Sequence, residues 1–236
     1  MKKIMVLLFA LFVFMPVNLA FADEEIYTNK EIMQRRQLIQ EVGYKILNTN
    51  RIDERMTFEY NHYDKTVNAY ATHRDRTIVL TKGMMNSLDT EDELAAILGH
   101  EISHAIDSYK GLFKGYFTCF KFLTKSRRDE TRADVRSVDF VVNAGYNPVA
   151  ILIVENKIMS QPRYEWYSTH PLSSKRMAKV YETIFQKYPY FLVNNEYINN
   201  PIYQNFLLTS KDNRLKLKDA VEKKKRTGKF KQPQYK

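Results

Sequence analysis

The stretch LGHEISHAID, residues 98–107, determines how the rest of this 236-residue chain is interpreted. Its two histidines, His100 and His104, are four residues apart, and Glu101 directly follows the first. On a helical wheel the histidines lie about 40° apart, at the border of the apolar face. Two imidazoles one turn apart can bind one zinc ion. Glu101, about 100° from His100 on the wheel, can reach a water held by that ion.

The residues around this stretch predict a helix. Thr90 followed by Glu93 forms a capping box, which is typical of a helix start. The apolar residues that follow repeat at helical spacing and predict one buried stripe. They are Leu94, Ile97, Leu98, Ile102, Ala105 and Ile106.

A second predicted helix, from about Arg127 to Ala144, offers further metal ligands. Glu130 and Asp134 are four residues apart and share one face. Glu130 can supply a third ligand, and Asp134 can accept the spare ring N–H of a ligating histidine. Several arginines are close in sequence, so ordinary ion pairing on a solvated helix face explains the same spacing. The spacing alone leaves both interpretations open.

The remaining pattern predicts a small, mainly helical α+β domain with an early β-sheet. Three short stretches have strand character, namely Met56–Tyr60, Thr66–Thr72 and Arg76–Thr81. Further helices are predicted from Glu24 to about Leu47, from Val149 to about Met159, and from Ser173 or Ser174 through Tyr188. Gly145 is expected to end the second helix, and Pro189–Ser210 receives no assignment.

The first 22 residues have the features of a secretory signal peptide. Two lysines precede a short apolar run, Ile4–Met15, and Ala20-Phe21-Ala22 precedes acidic residues. We expect cleavage after Ala22 and export to a periplasm or out of the cell. An uncleaved membrane anchor is the alternative, but the apolar run is short for a span of roughly 20 residues.

The positive charge is concentrated at the C-terminus. Residues 211–236 hold eleven lysines or arginines against three acidic residues, whereas residues 23–210 balance 24 against 24. A polar, lysine-rich segment with few apolar anchors predicts disorder or a frayed helix. Such a tail can contact an anionic membrane or cell-wall surface. The neutral domain that precedes it gives no reason to expect a specific nucleic-acid partner.

The single cysteine, Cys119, cannot form an internal disulfide. It is flanked by phenylalanines, which favours buried packing over a role as a nucleophile. The stability of an exported protein of this kind must then come from its core, with help from a bound metal.

Four blocks of the sequence, in order, resemble one known family. They are VNAYATHRDRTIVLTKGMM (67–85), LDTEDELAAILGHEISHAID (88–107), RRDETRADVRSVDFVVNAGYNP (127–148) and STHPLSSKRM (168–177). Together they resemble the catalytic core of the HtpX/Oma/BepA-type zinc endopeptidases, the gluzincins of metallopeptidase family forty-eight. The resemblance covers about residues 30–185 and implies a zincin-like fold within a domain spanning 23–210.

This resemblance implies roles for five residues of the second and third blocks. His100, His104 and Glu130 would hold one zinc ion per chain. Glu101 would be the catalytic acid and base, and Asp134 would support the ligands from behind.

It also implies roles for residues of the first and fourth blocks. His170 would lie near the zinc and stabilise the oxyanion of the reacting carbonyl, and Arg176 would pair with an acidic residue of the site. Asn68, Ala69, Tyr70 and Ala71 would belong to an edge strand that binds extended peptides, with the first three as the substrate-binding residues. Two further histidines, His62 and His73, match no family position and are expected at the surface.

The chain also departs from its relatives. Nothing after residue 22 is apolar and long enough to resemble the transmembrane helices of the membrane-embedded members; Phe113–Leu123 is too short and is interrupted by lysines. There is no 34-residue repeat after the domain, as some exported relatives have, but the basic tail instead.

These expectations lead to two candidate functions. The first is an exported zinc endopeptidase that hydrolyses peptide bonds in unfolded or misfolded envelope proteins through a zinc-activated water. The alternative is a zinc-stabilised chaperone or assembly factor of the cell envelope without turnover. The presence of Glu101 beside a complete ligand set favours the enzyme.

Overall fold

The computed structural model describes residues 17–72, 76–109, 127–159 and 174–235, and within these ranges the chain forms three strands and nine helices. The strands are β1 (Thr57–Asn61), β2 (Ala69–Ala71) and β3 (Thr77–Thr81). The helices are α1 (Val17–Thr49), α2 (Lys82–Ser87), α3 (Glu91–Tyr109), α4 (Arg127–Asn143), α5 (Val149–Met159), α6 (Ser174–Lys187), α7 (Tyr190–Val193), α8 (Pro201–Thr209) and α9 (Lys211–Thr227). The prediction of a mainly helical α+β domain with a small early sheet is confirmed.

The described strands form one sheet in the order β1-β3-β2. The central strand, β3, pairs parallel with β1 and antiparallel with β2. All five residues of β3 are buried, as its apolar and β-branched sequence TIVLT favours. Within the described ranges β2 is an edge strand, because it pairs only with β3.

Helix α3 runs through the centre of the core and begins at the predicted capping box. The Glu93 N–H donates to Thr90 Oγ1 at 3.2 Å, and the Glu93 carboxylate accepts from the Asp89 N–H at 3.0 Å. Lys157 of α5 lies 2.6 Å from the same carboxylate. These contacts hold the start of α3 and thereby the register of the histidines, which lie about two and three turns further along.

A glycine lets helices α3 and α4 pack closely. A Cβ atom on Gly99 would lie 3.3 Å from Val141 Cγ1 and 3.4 Å from Ser137 Cβ, so a larger side chain would push the helices apart. Gly99 immediately precedes His100. The close packing therefore brings the first turns of α4, which carry the acidic residues, next to the histidines.

The end of α4 follows the prediction made for Gly145. This glycine has φ = 81°, and the N–H groups of Gly145 and Tyr146 donate to the carbonyls of Val142 and Val141, each at 2.9 Å. Glycine occupies this position because side chains rarely adopt a positive φ.

The N-terminal helix α1 begins at Val17, ahead of the predicted cleavage position after Ala22. Cleavage there stays a prediction. In the described part of the chain, no helix combines the length and apolarity needed to cross a bilayer. Cys119 and the stretch Phe113–Leu123 lie outside the described residues.

The segment left unassigned, 189–210, contains the short helices α7 and α8. Helix α8 starts at a side-chain cap, since Asn200 Oδ1 accepts from the N–H groups of Ile202 at 2.8 Å and Tyr203 at 3.2 Å. Pro201 occupies its first turn, where the missing N–H costs nothing. Phe206 of α8 is fully buried and anchors the segment to the core.

Of the two alternatives predicted for the C-terminal residues, disorder or a frayed helix, the structure shows a helix. Residues Lys211–Thr227 form α9, which ends at Gly228 in the left-handed conformation, with φ = 71°. Tyr235 then packs with Leu217 of α9 and Ala178 of α6 in a small apolar cluster. The few apolar residues of this segment are spaced so that they contact one surface, and average composition does not reveal such spacing. The boundary drawn at residue 210 between domain and tail stays a prediction.

Candidate metal centre and active site

The two histidines of α3 direct their ring nitrogens at one point. His100 Nε2 and His104 Nε2 lie 3.0 Å apart, and the ring centroids are 4.6 Å apart. Both side chains are buried. Residues i and i+4 lie on the same helix face, so this convergence follows from the spacing once the helix forms.

Helix α4 adds a carboxylate to the same point. Glu130 Oε2 lies 3.5 Å from His100 Nε2, and Glu130 Oε1 lies 3.2 Å from His104 Nε2. Glu130 is fully buried and belongs with the two histidines to a cluster whose ligand atoms lie within 4.8 Å of one another. Ion pairing at a solvated surface, the other interpretation of this residue, does not describe its surroundings.

The donor set fits zinc. Four ligands at roughly 2.0–2.1 Å in a tetrahedron lie about 3.3–3.4 Å from one another, and the three observed separations of 3.0, 3.2 and 3.5 Å are close to that value. Two imidazoles and one carboxylate also match the three-ligand sets of catalytic zinc sites, which keep a fourth position open.

Asp134 supports His100 from the side opposite the cluster. Its Oδ1 lies 2.9 Å from His100 Nδ1, so Nδ1 donates and the lone pair of Nε2 faces Glu130 and His104. Burial opposes a charge on His100, but hydrogen bonds and charges from Asp134 and Glu130 outweigh it and raise its pKa to about 10. Surroundings that favour a proton on this imidazole also favour a metal cation beside it.

A single arginine of α6 balances the acidic groups. Arg176 is 1% exposed, and its Nε and Nη2 each lie 2.7 Å from one carboxylate oxygen of Asp134. Its Nη1 lies 3.3 Å from Glu130 Oε2. Burial alone would raise the pKa of Asp134, but hydrogen bonds and charge from Arg176 hold that pKa below its usual value. The expected pairing of Arg176 with an acidic residue of the site is therefore present.

Sequence reasoning missed the third carboxylate around this arginine. Glu155 of α5 is buried, and its Oε1 lies 3.4 Å from Arg176 Nη2. Burial raises the pKa of Glu155 to about 7, against the opposite influence of the nearby Arg176 charge. The available signal was an acidic residue in the middle of the apolar segment VAILIVENKIM, since a buried carboxylate requires a partner.

Glu101 lies beside this centre and outside its ligand cluster. It follows His100 on α3, is 0% exposed, and is absent from the groups of side chains that converge closely enough to hold a metal. A buried carboxylate that is next to a ligand in sequence but outside the ligand cluster is suited to proton transfer rather than metal binding. The role assigned to Glu101 stays a prediction.

The edge strand β2 presents its backbone alternately inward and outward. The Asn68 carbonyl accepts from the Thr81 N–H at 3.2 Å, and the Thr72 N–H donates to the Thr77 carbonyl at 2.7 Å. Antiparallel pairs alternate between bonded and non-bonded residues. Ala69 and Ala71 therefore direct their N–H and C=O groups away from β3.

The sequence-based assignment of the edge strand changes in one respect. Asn68 and Tyr70 turn their backbone groups toward β3, so within the predicted stretch only Ala69 and Ala71 direct theirs outward. The Tyr70 side chain is 36% exposed, so it can still contact a chain bound along this edge.

Two other predicted histidines lie outside the described residues. His170 falls within 160–173 and His73 within 73–75, so the role suggested for His170 stays a prediction. His62 is half-buried at the end of the sheet, with its ring 3.8 Å from that of Tyr63, and it lies outside the metal-ligand cluster.

The chain is similar in sequence to known proteins. A family model described as Peptidase family M48 matches residues 33–110 and 112–184, nearly the range of the resemblance found in the sequence. The chain is also 27% identical over 136 residues to the mitochondrial metalloendopeptidase OMA1 of Arabidopsis thaliana. That alignment covers 47% of this chain, and the chain spans only 28% of the length of that relative.

Proposed function

This chain belongs to peptidase family M48, and from that premise we propose that it is a zinc-dependent endopeptidase. The observation that carries the proposal is the convergence of His100 Nε2, His104 Nε2 and the Glu130 carboxylate on one buried point. These three side chains would hold one zinc ion. When bound, zinc would supply a nucleophilic water at neutral pH and polarise the peptide carbonyl.

Glu101 performs the proton transfers. Its carboxylate accepts the proton that the attacking water loses as the C–O bond forms at the peptide carbonyl. The same carboxyl group then donates that proton to the leaving amine nitrogen as the C–N bond breaks. One carboxylate can serve both steps, because its ionised form accepts the proton and its protonated form donates it.

Asp134 and Arg176 hold the ligands in place during these steps. Asp134 fixes the tautomer and ring orientation of His100 through the 2.9 Å contact at Nδ1. Arg176 in turn holds Asp134 by two hydrogen bonds and compensates the charge of Glu130. In this proposal His170 stabilises the negative charge on the carbonyl oxygen, as the family resemblance implies.

The substrate would be an extended polypeptide that pairs with β2. The outward N–H and C=O groups of Ala69 and Ala71 can add a strand to the sheet, with Asn68 and Tyr70 flanking it. Backbone hydrogen bonds do not depend on the side chains of the bound polypeptide, so β2 can bind any extended chain. The geometry therefore favours unfolded or misfolded proteins over one folded partner. We propose envelope proteins as the natural substrates, because the first 22 residues have the pattern of an export signal.

Export itself can be tested directly. The proposal places the mature chain, beginning at Asp23, in a periplasm or outside the cell. Intact-mass analysis of the protein from the exported fraction should give a chain that lacks residues 1–22. A chain of full mass retained with the membranes would contradict cleavage and support the anchor.

The charged C-terminal part gives a further element of the proposal. We propose that residues 211–236, with their excess of eight positive charges, contact an anionic membrane or cell-wall surface. Such contact should weaken steeply between low and physiological salt. Retention on phosphatidylglycerol vesicles at several salt concentrations measures it, and salt-independent retention would contradict it.

Cleavage of casein by the purified protein, beside Glu101→Gln, tests the activity. We expect the wild-type protein to cut casein and the variant to be inactive while it still binds one zinc ion. A variant that keeps substantial activity would remove Glu101 from the mechanism. A zinc-loaded wild-type protein that leaves casein and other unfolded chains intact, yet slows their aggregation, would replace the peptidase by the chaperone.

A further inference from the structure

The C-terminal helices enclose an apolar groove that the proposed peptidase does not use. It lies between α6, α8 and α9 and has a volume of about 600 Å³. We refer to it as the C-terminal groove. Its apolar walls are Tyr181, Phe185, Leu207, Leu208, Leu217 and Val221. Its lining contains none of the residues of the metal centre, so it needs an occupant of its own.

Several of the groove's apolar side chains face solvent. Leu208 is 76% exposed, Leu215 is 51% exposed and Phe185 is 36% exposed. A cluster of large apolar side chains left open at the rim of a concave site is typical of a ligand-binding surface.

The charges around the groove are mostly positive. Among the described residues that line it, four are basic residues of α9 and one, Glu222, is acidic. On a helical wheel that starts at Lys211, the lining residues of α9 span from about 240° through zero to about 40°. The other two acids of the helix, Asp212 and Asp219, lie at about 80–100°, outside the groove. The four basic residues are Lys211, Arg214, Lys218 and Lys225.

Two of these cations are available to a ligand. Lys211 and Lys218 are exposed, and neither forms an ion pair with another residue in the described part of the chain. Arg214 and Lys225 are already engaged, the first with the Leu207 carbonyl at 2.7 Å and the second with Glu222 at 3.0 Å. The groove thus combines an apolar floor with two uncompensated positive charges at its rim.

The chain's own apolar segments do not complement this charge. Neither 1–16 nor 110–126 contains an aspartate or glutamate, and both contain lysines. An occupant that satisfies the groove must supply both apolar surface and negative charge, so it comes from outside these segments.

The dimensions favour a slim ligand. The lining residues of α9, from Lys211 to Lys225, extend over about 21 Å. An α-helix with its side chains is about 10–12 Å across, which is wide for a groove of about 600 Å³. That volume lies within the range of small-molecule sites, which is roughly 300–1,000 Å³. A single extended hydrocarbon chain fits such a groove better than a partner helix does.

We propose that the C-terminal groove binds one long-chain fatty acid. Its hydrocarbon chain lies against Tyr181, Phe185 and Val221, and its carboxylate lies at the rim beside Lys211 and Lys218. This binding is independent of the proposed peptidase activity and of any contact of the tail with a membrane.

The test uses the full chain and the fluorescent fatty acid 11-(dansylamino)undecanoate, whose emission rises in an apolar site. We expect saturable binding of one probe per chain and displacement by saturated fatty acids. From octanoate to dodecanoate, each added CH₂ should tighten binding about fourfold. The methyl ester of the probe should bind at least tenfold more weakly, because it lacks the charge. An ester that binds as tightly as the acid would overturn the role of the lysines.

Matched variants locate the site. Lys218→Glu and Leu208→Asp alter the rim and the wall of the groove and should each weaken binding at least tenfold. Lys223→Glu makes the same charge change on another face of α9, and Val193→Asp makes the same apolar-to-acid change at a side chain that is 81% exposed outside the groove. Both controls should bind the probe as the wild type does.

Two further outcomes would overturn the proposal. If the groove variants and the controls weakened probe binding equally, the probe would be held by nonspecific attraction to a basic protein. That result would overturn the proposal. Failure of the probe to bind while an acidic amphipathic peptide binds would replace the fatty acid by a protein partner. Since Glu101→Gln should bind the probe normally, loss of casein cleavage and loss of fatty-acid binding are separate results.

Discussion

Arg176 and Asp134 form a buried, two-pronged ion pair in which two guanidinium nitrogens each lie 2.7 Å from a carboxylate oxygen. The pair joins α6 to α4, and Asp134 extends it to His100 on α3 at 2.9 Å. Three helices distant in sequence thus meet at one proposed metal ligand. The orientation of His100 depends on Arg176 even though Arg176 makes no contact with the proposed ion.

Replacement of this arginine should impair both stability and metal binding. Arg176→Met leaves Asp134, Glu130 and Glu155 buried without their shared counter-charge. We expect a loss of about 3–5 kcal/mol in the free energy of unfolding and about 10–100-fold weaker zinc binding. Urea unfolding and competition with a zinc chelator measure the two effects.

Two controls accompany this variant. Arg176→Lys keeps the charge but loses the fork that contacts both oxygens of Asp134, so it should recover only part of the affinity. Lys187→Met breaks an ion pair with Asp139 whose lysine side chain is 50% exposed, and it should cost less than about 1 kcal/mol. Wild-type zinc affinity in Arg176→Met would show that the pair has no influence on the metal ligands.

Removal of zinc should lower the thermal stability. With free zinc a thousandfold above its Kd, binding contributes about 4 kcal/mol, which corresponds to about 8–16 °C in Tm for a chain of this size. Differential scanning calorimetry before and after EDTA measures the shift, and added zinc should reverse it whereas magnesium should not. In His104→Ala the Tm should respond to EDTA much less. An unchanged Tm after verified removal of the metal would contradict the expectation that zinc binding stabilises the fold.

The outward backbone of β2 should matter for substrate binding. Ala71→Pro removes an N–H group that faces away from β3, so it should raise KM by up to about tenfold, the effect of losing one backbone hydrogen bond. The kcat and the Tm should change little. Thr72→Pro is the contrasting variant, because its N–H donates to the Thr77 carbonyl within the sheet and its loss should lower the Tm. An unchanged KM for an unfolded substrate in Ala71→Pro would exclude pairing at this position.

The contact of the last residues, 228–235, with α6 should contribute to stability. The Tyr235 hydroxyl donates to the Glu182 carboxylate, which also accepts from Gln232 Nε2 at 2.8 Å. Tyr235→Phe removes one hydrogen bond to a charged group and should lower the free energy of unfolding by about 1.5–3 kcal/mol. Tyr190→Phe, at a tyrosine that is 68% exposed, is the matched control and should change it by less than about 0.5 kcal/mol. Equal stability of both variants would mean that residues 228–235 are not held in solution.

Alkaline pH should destabilise the protein through its tyrosines. Burial and Asp139 raise the pKa of Tyr188 to about 12, and burial raises that of Tyr203 to about 12. Because these folded pKa values exceed the ordinary value near 10, the unfolded chain releases its protons first. The associated stability is complete below about pH 10 and is lost as the pH rises toward 12.

Urea unfolding at pH 9 and pH 11 measures whether the free energy of unfolding falls over this range. The wild-type protein should be less stable at pH 11, and Tyr188→Phe should show a smaller loss between the two values. A protein that gains stability over this range would contradict the assignment.

The parts of the structure that were predictable share one property, namely a short-range cause. The capping box at Thr90, the helix stop at Gly145 and the i, i+4 convergence of His100 and His104 each depend on a few neighbouring residues. The short helix at Asn200-Pro201 had an equally local signal, a capping residue followed by proline, which the sequence interpretation did not use.

The C-terminal helix shows where local reasoning could not choose between disorder and a helix. Among the many lysines of residues 211–236, Leu217 and Tyr235 are anchors because α6 presents Ala178 and Glu182 to them. Composition averages over such anchors, and burial depends on a surface formed by another part of the chain.

The sequence by itself determined the chemistry available to this protein: two histidines and a glutamate in one helical pattern, a carboxylate pair four residues apart, and a basic C-terminus. Local periodicity suffices for these features, because a helix places i and i+4 on one face whatever surrounds it. Only the tertiary structure decided that Glu130 faces the histidines, that Arg176 and Glu155 meet behind them, and that the basic helix forms one wall of an apolar groove. The relationships at the metal centre join residues of four different helices. They arise from the close packing of α3 on α4 at Gly99 and from the burial of charges that must find partners.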